Sequence, residues 1–471
     1  MTITGLSSLH CEHFIPSAET PALGFTRWSD TNIDRPSLVV IPENEADVQA
    51  AMGLARTNHL IIVTGGGGHG TYVPVGPKNL YLDMRKFQTI LLDKARCTVR
   101  IGGGVVTGDL LKSLALDGYY TALPNSNAVG VVGCVLGAGS TPLNGLHGVM
   151  ADMVQSFRIV VSEDSVIEVK ASSTGEHLSL FNALCGAGHG LGVVTAITTS
   201  AYPISSLNMT DDKICIRSLM FPPTSIETAV RAFLDLSRPS PKVSNTLTFL
   251  RIPVSGSANG VPVIAIGSTC FGSLRDAKDE SSALYSERFV EVSSKAGTDM
   301  VPMEHLNDRF EPQNKHGGHK AIASCRLKAI DVETITTAFE SWLSVTERVP
   351  GAWRSIVAIS RFNSTRHKEL GAGIGGDRFI ESRDRDFSAM TIVMCNDAAG
   401  LDAMTDYMTN FVRMMRAGDA SSTPRSFPNN LRFGIDLEEM FDKHKLAELR
   451  RIKHIWDPQG IFWSPFMSDP A

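Results

Sequence analysis

Apolar and polar positions follow two different textures along the chain. Between residues 38 and 64 the apolar run LVVIP precedes ENEADVQAAMGLARTN, and LIIVT closes the unit. The middle segment opens on acidic residues and spaces its apolar positions as a helix does, so the pattern predicts strand, helix, strand. LYLDM and CTVRIGGG read as further strands, and TGDLLKSLALDG reads as a helix closed by glycine. VQSFRIVVSEDSVIEV predicts a β-hairpin pair, and HLSLFNALCGAGHGLGVVTAITTSAYPI a helix, a glycine turn and a strand. From about residue 206 glycine clusters thin out. Runs such as KICIRSLMF, NTLTFLRIPV, VPVIAIGSTCF and SAMTIVMCND then alternate with SIETAVRAFLDLSR, TITTAFESWLSV and GLDAMTDYMTNFVRMMRA. That texture predicts a second α+β unit with an extended antiparallel sheet. The last stretch, DLEEMFDKHKLAELRRIKHIWDP, predicts a helix pair stopped at Asp-Pro.

Length and charge narrow the classes. A chain of 471 residues exceeds one ordinary core, so two or three domains are expected. A net charge of −5 without a basic tract argues against nucleic acid as a partner. No apolar run matches a membrane span. The N-terminal MTITGLSSLHCEHFIPSAET lacks a basic start and an apolar h-region, and the eight cysteines form no CxxC pair. A cytoplasmic protein with reduced thiols is expected. The sequons at Asn208 and Asn363 then read as chance matches.

Small residues concentrate in four stretches, 64–70, 102–108, 124–141 and 186–192. GGGGHG lacks the Gly-Lys-Ser/Thr of a phosphate-binding P-loop, and GAGHGLG has neither the spacing nor the following helix of a Rossmann fingerprint. HGGH at 316–319 has no cysteine or carboxylate cluster to complete a metal site, so no metal is expected. Each glycine stretch alone reads as a tight turn. Taken together, in this order, the four suggest a backbone cradle for one large cofactor carrying a pyrophosphate.

The order of these segments resembles the FAD-linked oxidases of the vanillyl-alcohol oxidase superfamily, berberine-bridge-enzyme-like group. The group's R-S-G-G-H loop is similar to TGGGGH. Its C-P-T-V-G-V-G-G-H-x-S-G-G-G run is similar to SNAVGVVGCVLGAG, its GLxxDN to GVMADM, and its LFWAxRGGGGNFGIVT to LFNALCGAGHGLGVVT. A YxNY turn and an RLxxIKxxYDPxNxF helix correspond to FPNN and ELRRIKHIWDPQGIF. The likeness covers the first 205 residues and roughly the last 45. It implies an α+β fold with an FAD domain over 1–205, completed by 425–471, and a substrate domain inserted over 206–424.

The resemblance implies roles. Thr64, Gly65, Gly66, Gly67, Gly68 and Gly70 would present backbone to the FAD pyrophosphate, and His69 matches the histidine bonded to the flavin 8α carbon. Pro124, Ser126, Val129, Gly130, Gly133, Cys134, Gly137, Thr141, Gly192, Val194, Phe427 and Asn429 fall at cofactor-facing positions of the group. Three departures stand out. Ser126 replaces the second tethering cysteine, so one covalent bond is expected. Thr64 replaces the arginine before the glycines. Asn430 replaces the tyrosine often used as catalytic base, and an amide takes no proton at neutral pH. Val129 is compatible with O2 as acceptor. Within GGDRFIESRDRD, Arg383 matches the group's arginine, and Glu381 is the expected base, held ionised by an ion pair with Arg383.

The expected function is an FAD-dependent oxidase of secondary metabolism, passing a hydride from a small apolar substrate to flavin, with O2 reoxidising it. A redox-neutral or oxidation-initiated cyclase on the same scaffold is the first alternative. A flavin-binding protein without turnover is the second.

Overall fold

The computed structural model describes residues 3–17, 25, 27–162, 165–373, 375–420, 422–432 and 434–467. The end of the N-terminal stretch read for a leader, 18–20, and the hairpin turn at 163–164 lie outside the described residues.

Among the described residues, the N-terminal half holds two larger sheets and a two-stranded one that pairs Tyr119–Tyr120 with Tyr202–Pro203. The first orders Glu12–Phe14, Leu38–Ile41, Asn79–Asp83 and Ile61–Gly65, the last three strands running parallel. The predicted helix between two of them spans Glu45–Thr57. Asn44 caps it by accepting from Asp47 N at 3.1 Å, and Glu45 and Asp47 complement the positive end of its dipole. The second sheet is antiparallel and orders Ile90–Asp93, Thr98–Gly102, Val193–Ser200, Val154–Val160 and Val166–Lys170. Its last two strands are the predicted hairpin pair.

The chain's end returns to the first sheet. Ile62 N donates to Ile461 O at 2.7 Å, and Trp463 N donates to Ile62 O at 3.0 Å. The Asp-Pro stop is built to hold this return. Asp457 is fully buried, salt-bridged to Lys453, and accepts from Ile461 N at 3.0 Å and Phe462 N at 3.1 Å. Lys453 also donates to Gly190 O at 2.6 Å, tying the last helix to the fourth glycine-rich stretch. The expected C-terminal helix pair is corrected to one α-helix, Lys443–Trp456, after a single 3-10 turn at Leu437–Glu439. Asp442 caps the helix by accepting from Lys445 N at 2.8 Å, while buried Met440 and Phe441 divert the chain before it.

The inserted unit is one seven-stranded antiparallel sheet. Its order is Lys295–Pro302, Lys213–Phe221, Val261–Cys270, Val243–Ile252, Ile356–Arg361, Phe387–Cys395 and His319–Leu327. Alternation along the strands sends Leu247, Phe249, Ile264, Ile266, Ala323, Cys325, Val357, Ile359, Ala389 and Val393 into one core, packed under the helices Ile226–Leu234, Val332–Arg348 and Thr405–Ala417. The opposite face carries Thr246, Thr248, Ser360, Met390, Ser324, Arg326 and Lys320. Trp28, Ser29 and Thr31 of the N-terminal half meet this face at Lys320. The strands at 295–302, 319–327 and 356–361 were not apparent in the sequence. KAGTDMVP, at a sheet edge, breaks its alternation with Gly297 and charged residues, IVAISR is short, and HKAIASCRL alternates but turns its polar side towards the N-terminal half.

Candidate functional site

Two glycine stretches touch back to back. A Cβ at Gly67 would stand 2.3 Å from Gly130 N, and one at Gly130 would stand 2.5 Å from Gly67 N. Gly65 ends its strand against Tyr81, and Gly68 takes φ +68, a left-handed conformation that glycine adopts without strain. The glycines therefore serve loop-to-loop packing as well as any ligand. That packing leaves donors free: the N–H groups of Gly66, Gly67, Gly68 and His69 find no acceptor among the described residues. Gly70 and Val73 carbonyls accept from Arg27 at 2.7 and 3.0 Å, which braces the loop from below.

His69 ends this row. Its ring stacks on Trp28 at 4.7 Å with planes 10° apart, and His316 stands edge-on at 6.5 Å. Trp28 is held by a 2.8 Å bond from its indole to Gln313 O and lies under Lys320 Nζ, 5.0 Å from the ring centre. Burial, reinforced by the charges of His316, Lys320 and Arg27, pushes the His69 pKa down to about 3. The imidazole is therefore neutral at physiological pH, and its buried Nε2 has no hydrogen-bond partner. A neutral ring nitrogen with a free lone pair is what a bond to an electrophilic carbon requires.

The second loop lies alongside. Ser126 Oγ contacts Asn314 at 2.5 Å, and Pro124 O accepts from Asn307 at 2.9 Å. Val129 is half-buried, and its carbonyl accepts from Thr107 N at 2.9 Å. Gly133 is open to space, with its carbonyl 3.1 Å from His189 Nε2. Burial pushes the Cys134 thiol up to about 12, so it is protonated and inert as a nucleophile. Asn429 pins the C-terminal loop to this segment, accepting from Gly139 N at 2.9 Å and donating to Cys134 O at 2.9 Å. A Cβ at Gly137 would stand 2.3 Å from Asn429 Nδ2. The asparagine side chain expected to meet the cofactor thus spends its carbonyl and one N–H on protein. Thr141 accepts from Leu143 N at 3.0 Å, turning the chain, while Gly192 and Val194 sit against Ile159 and Val160. Those three shape the core behind the loops.

Asn430 faces the sheet, with Nδ2 3.7 Å from Met390 Sδ. Phe427 is buried under the guanidinium of Arg326, 4.2 Å from its ring centre. The face between the two halves therefore runs from Lys320 beside Trp28, past Met390 under Asn430, to Arg326. Residues 320 and 326 on one strand are roughly 20 Å apart at about 3.3 Å per residue.

The expected pairing of Glu381 with Arg383 is corrected. Arg383 makes a two-pronged bond to Asp152, at 2.8 and 3.0 Å. Glu381 instead lies 3.1 Å from Lys445 and 3.9 Å from Arg425. The loop is irregular here, and residues two apart point to opposite sides. Of the HGGH run, His316 stands beside His69 and His319 opens a strand. Sequence reading missed Arg27, Trp28, Asn314, Lys320 and Arg326. Only the apolar-polar alternation of KAIASCRL carried a signal for the last two, and it was not used.

A family model described as an FAD binding domain matches residues 36–170. The FAD-linked oxidoreductase hasG of Aspergillus fumigatus is 26% identical over 450 residues, covering 92% of each chain. The FAD-linked oxidoreductase tazG of Aspergillus terreus is 33% identical over 257 residues, 53% of this chain and 50% of that one. The matched stretch thus spans half of tazG and nearly all of hasG. Among solved structures, BBE-like 1 of Physcomitrella patens superposes with a TM-score of 0.80 at 16% identity, over 99% of this chain and 98% of that one. The 6-hydroxy-D-nicotine oxidase of Arthrobacter nicotinovorans gives 0.81 at 19% identity, over 100% of both. The glucooligosaccharide oxidase of Acremonium strictum, described with a 6-S-cysteinyl, 8α-N1-histidyl FAD, gives 0.73 at 17% identity, over 95% and 94%. At these identities the likeness to solved structures is one of fold.

Proposed function

We propose that this chain, an FAD-binding protein with the berberine-bridge-enzyme-like fold of the vanillyl-alcohol oxidase superfamily, is an FAD-dependent oxidoreductase of small-molecule secondary metabolism. The observation that carries the reading is His69: neutral, buried and unpartnered, at the end of a row of free N–H groups. Those groups fit a cofactor that brings a pyrophosphate and an electrophilic ring carbon. The FAD-linked relatives support the reaction class. Bound FAD supplies a two-electron acceptor, and O2 is the acceptor that completes turnover.

The remaining roles belong to the chain. His69 holds the single tether, since Ser126 offers no thiol. Gly66, Gly67 and Gly68 donate backbone N–H groups. Asn429 fixes the C-terminal loop, which sets Asn430 over the sheet face where a substrate would lie. Val129 leaves space for O2 beside the second loop. In this reading the FAD domain is 1–205 completed by 425–471, the substrate domain is 206–424, and the substrate lies between the second loop and the sheet.

Glu381 is the proton acceptor in this reading, reached by displacing Arg425, the longer of its two contacts at 3.9 Å. Glu381→Gln keeps the shape and removes the charge. Turnover should fall by about 10²- to 10⁴-fold with the flavin spectrum unchanged. A loss under about tenfold would confine Glu381 to its ion pair with Lys445 and remove it from the chemistry.

The cyclase is the second reading, favoured by one observation: Asn430, in place of a tyrosine, faces the substrate side with no proton-accepting group. Flavin bleaching by substrate without oxygen separates the oxidase from the redox-neutral cyclase, and the structure of the product, oxidised or ring-closed, separates it from the oxidation-initiated one.

A further inference from the structure

The guanidinium of Arg326 at the seam has no ion-pair partner among the described residues. Arg326 is 4% exposed on the sheet face that meets the N-terminal half. Its guanidinium carbon lies 4.2 Å from the Phe427 ring centre and 5.3 Å from that of Phe362. The rings take the faces of the guanidinium as cation–π partners and leave its edges open. Its Nε is buried without a partner, and none of its guanidinium nitrogens bonds to a described residue, while its backbone N donates to Arg425 O at 2.9 Å.

The carboxylates of the surrounding segments are already engaged. Asp152 binds Arg383 and Arg378. Asp386 binds Arg238, Glu439 binds Arg416 and Arg432, and Glu381 binds Lys445 and Arg425. Burial brings the Arg326 pKa down only to about 10, so the group stays charged at neutral pH. A second unpartnered group adjoins it. His367 is 3% exposed, its ring lies 5.5 Å from the same Phe362 ring, and its Nε2 has no partner. Two buried polar groups without partners among the described residues, both packed against the Phe362 ring, describe a receiving site for an anion.

We propose that Arg326 anchors an anionic group of the substrate, a carboxylate set against a planar apolar body, with His367 as a second donor beside it. The guanidinium edge offers two parallel N–H groups, the geometry that carboxylates accept. Phe362 and Phe427 supply the apolar walls. The substrate is then an organic acid, a narrower class than the small apolar molecule expected from sequence. This inference rests on the reading of the cleft as the substrate site. An anionic edge of the cofactor shares the same chemistry, so the test separates the two sources.

The experiment is calorimetric titration of the full-length, flavin-loaded protein with benzoate and with benzyl alcohol, its uncharged counterpart. Wild type should bind benzoate more tightly than benzyl alcohol by about 10- to 100-fold, the range of a charge-assisted bond. Arg326→Met should abolish that preference and leave benzyl alcohol unchanged, and Arg326→Lys should keep part of it. Melting of Arg326→Met at or above the wild-type temperature shows that the fold is intact. Equal benzoate binding by wild type and Arg326→Met overturns the proposal, as does no benzoate binding by wild type. Benzoate binding that survives while Arg326→Met lowers the flavin reduction potential assigns the cation to the cofactor, which also overturns it. Protein that never takes up flavin overturns the functional reading instead, and titrating that same protein with benzoate still decides the anion site.

Discussion

Acid precipitation of the purified protein is expected to leave the yellow colour in the pellet, and His69→Ala should move all of it to the supernatant. The expectation follows from the state of the ring. Covalent attachment needs an imidazole nitrogen that is neutral, aimed and unoccupied. Burial keeps His69 uncharged, stacking on Trp28 at 4.7 Å fixes its plane, and Nε2 has no competing partner. Alanine removes the nucleophile and leaves Trp28, Arg27 and the free N–H groups in place, so FAD should still bind but wash out on denaturation. Peptide mapping should find the flavin on the His69 peptide alone. Ser126 has no thiol, and the Cys134 thiol is held protonated by burial. Flavin fully extractable from wild type would reduce His69 to a noncovalent neighbour, and an adduct on Cys134 would overturn the alignment of that loop.

Asp152→Ala is expected to destabilise the protein by about 3–5 kcal/mol, the cost of breaking a buried ion pair from one side. Asp152 is fully buried in the N-terminal half, while Arg378 and Arg383, 3% and 10% exposed at their side chains, come from the inserted unit. Removing the carboxylate leaves two guanidinium groups in the seam with no anion. The same carboxylate also accepts from Val149 N at 3.1 Å and holds its own turn. Urea unfolding followed by tryptophan fluorescence should show the midpoint falling at a similar slope. A change under about 1 kcal/mol would mean that water reaches the pair and that it behaves as a surface bridge. Because Asp152 does not contact His69, the variant should keep its flavin in the acid pellet, which separates this effect from the first.

Local chemistry was legible in the sequence, and long-range pairing was not. The glycine run and its histidine could be read directly, because such a run has few structural uses and each requires a close backbone approach. The Asp-Pro stop was legible for a similar reason, although its purpose, receiving Ile461 and Phe462 with Lys453 behind it, was not. Trp28 and Lys320 are nearly three hundred positions apart, and nothing in either neighbourhood announces the contact. The same holds for Asp152 and Arg383. Arg383 was paired by proximity with Glu381, two residues away, because sequence shows neighbours and hides partners. Arg326 sits on the polar side of an alternating strand, and alternation alone does not tell a face towards solvent from a face towards another part of the chain. Here that face meets the N-terminal half, where Lys320 contacts Trp28, Ser29 and Thr31.

The measurement that bears most directly on the account is anaerobic mixing of the flavin-loaded protein with candidate organic acids, watching flavin absorbance, followed by admission of oxygen. The productive substrate should bleach the flavin without oxygen, and the colour should then return with oxygen consumed and hydrogen peroxide released in equal amounts. Product formed while the flavin stays oxidised and no oxygen is consumed would contradict this expectation, and would make the chain a redox-neutral cyclase.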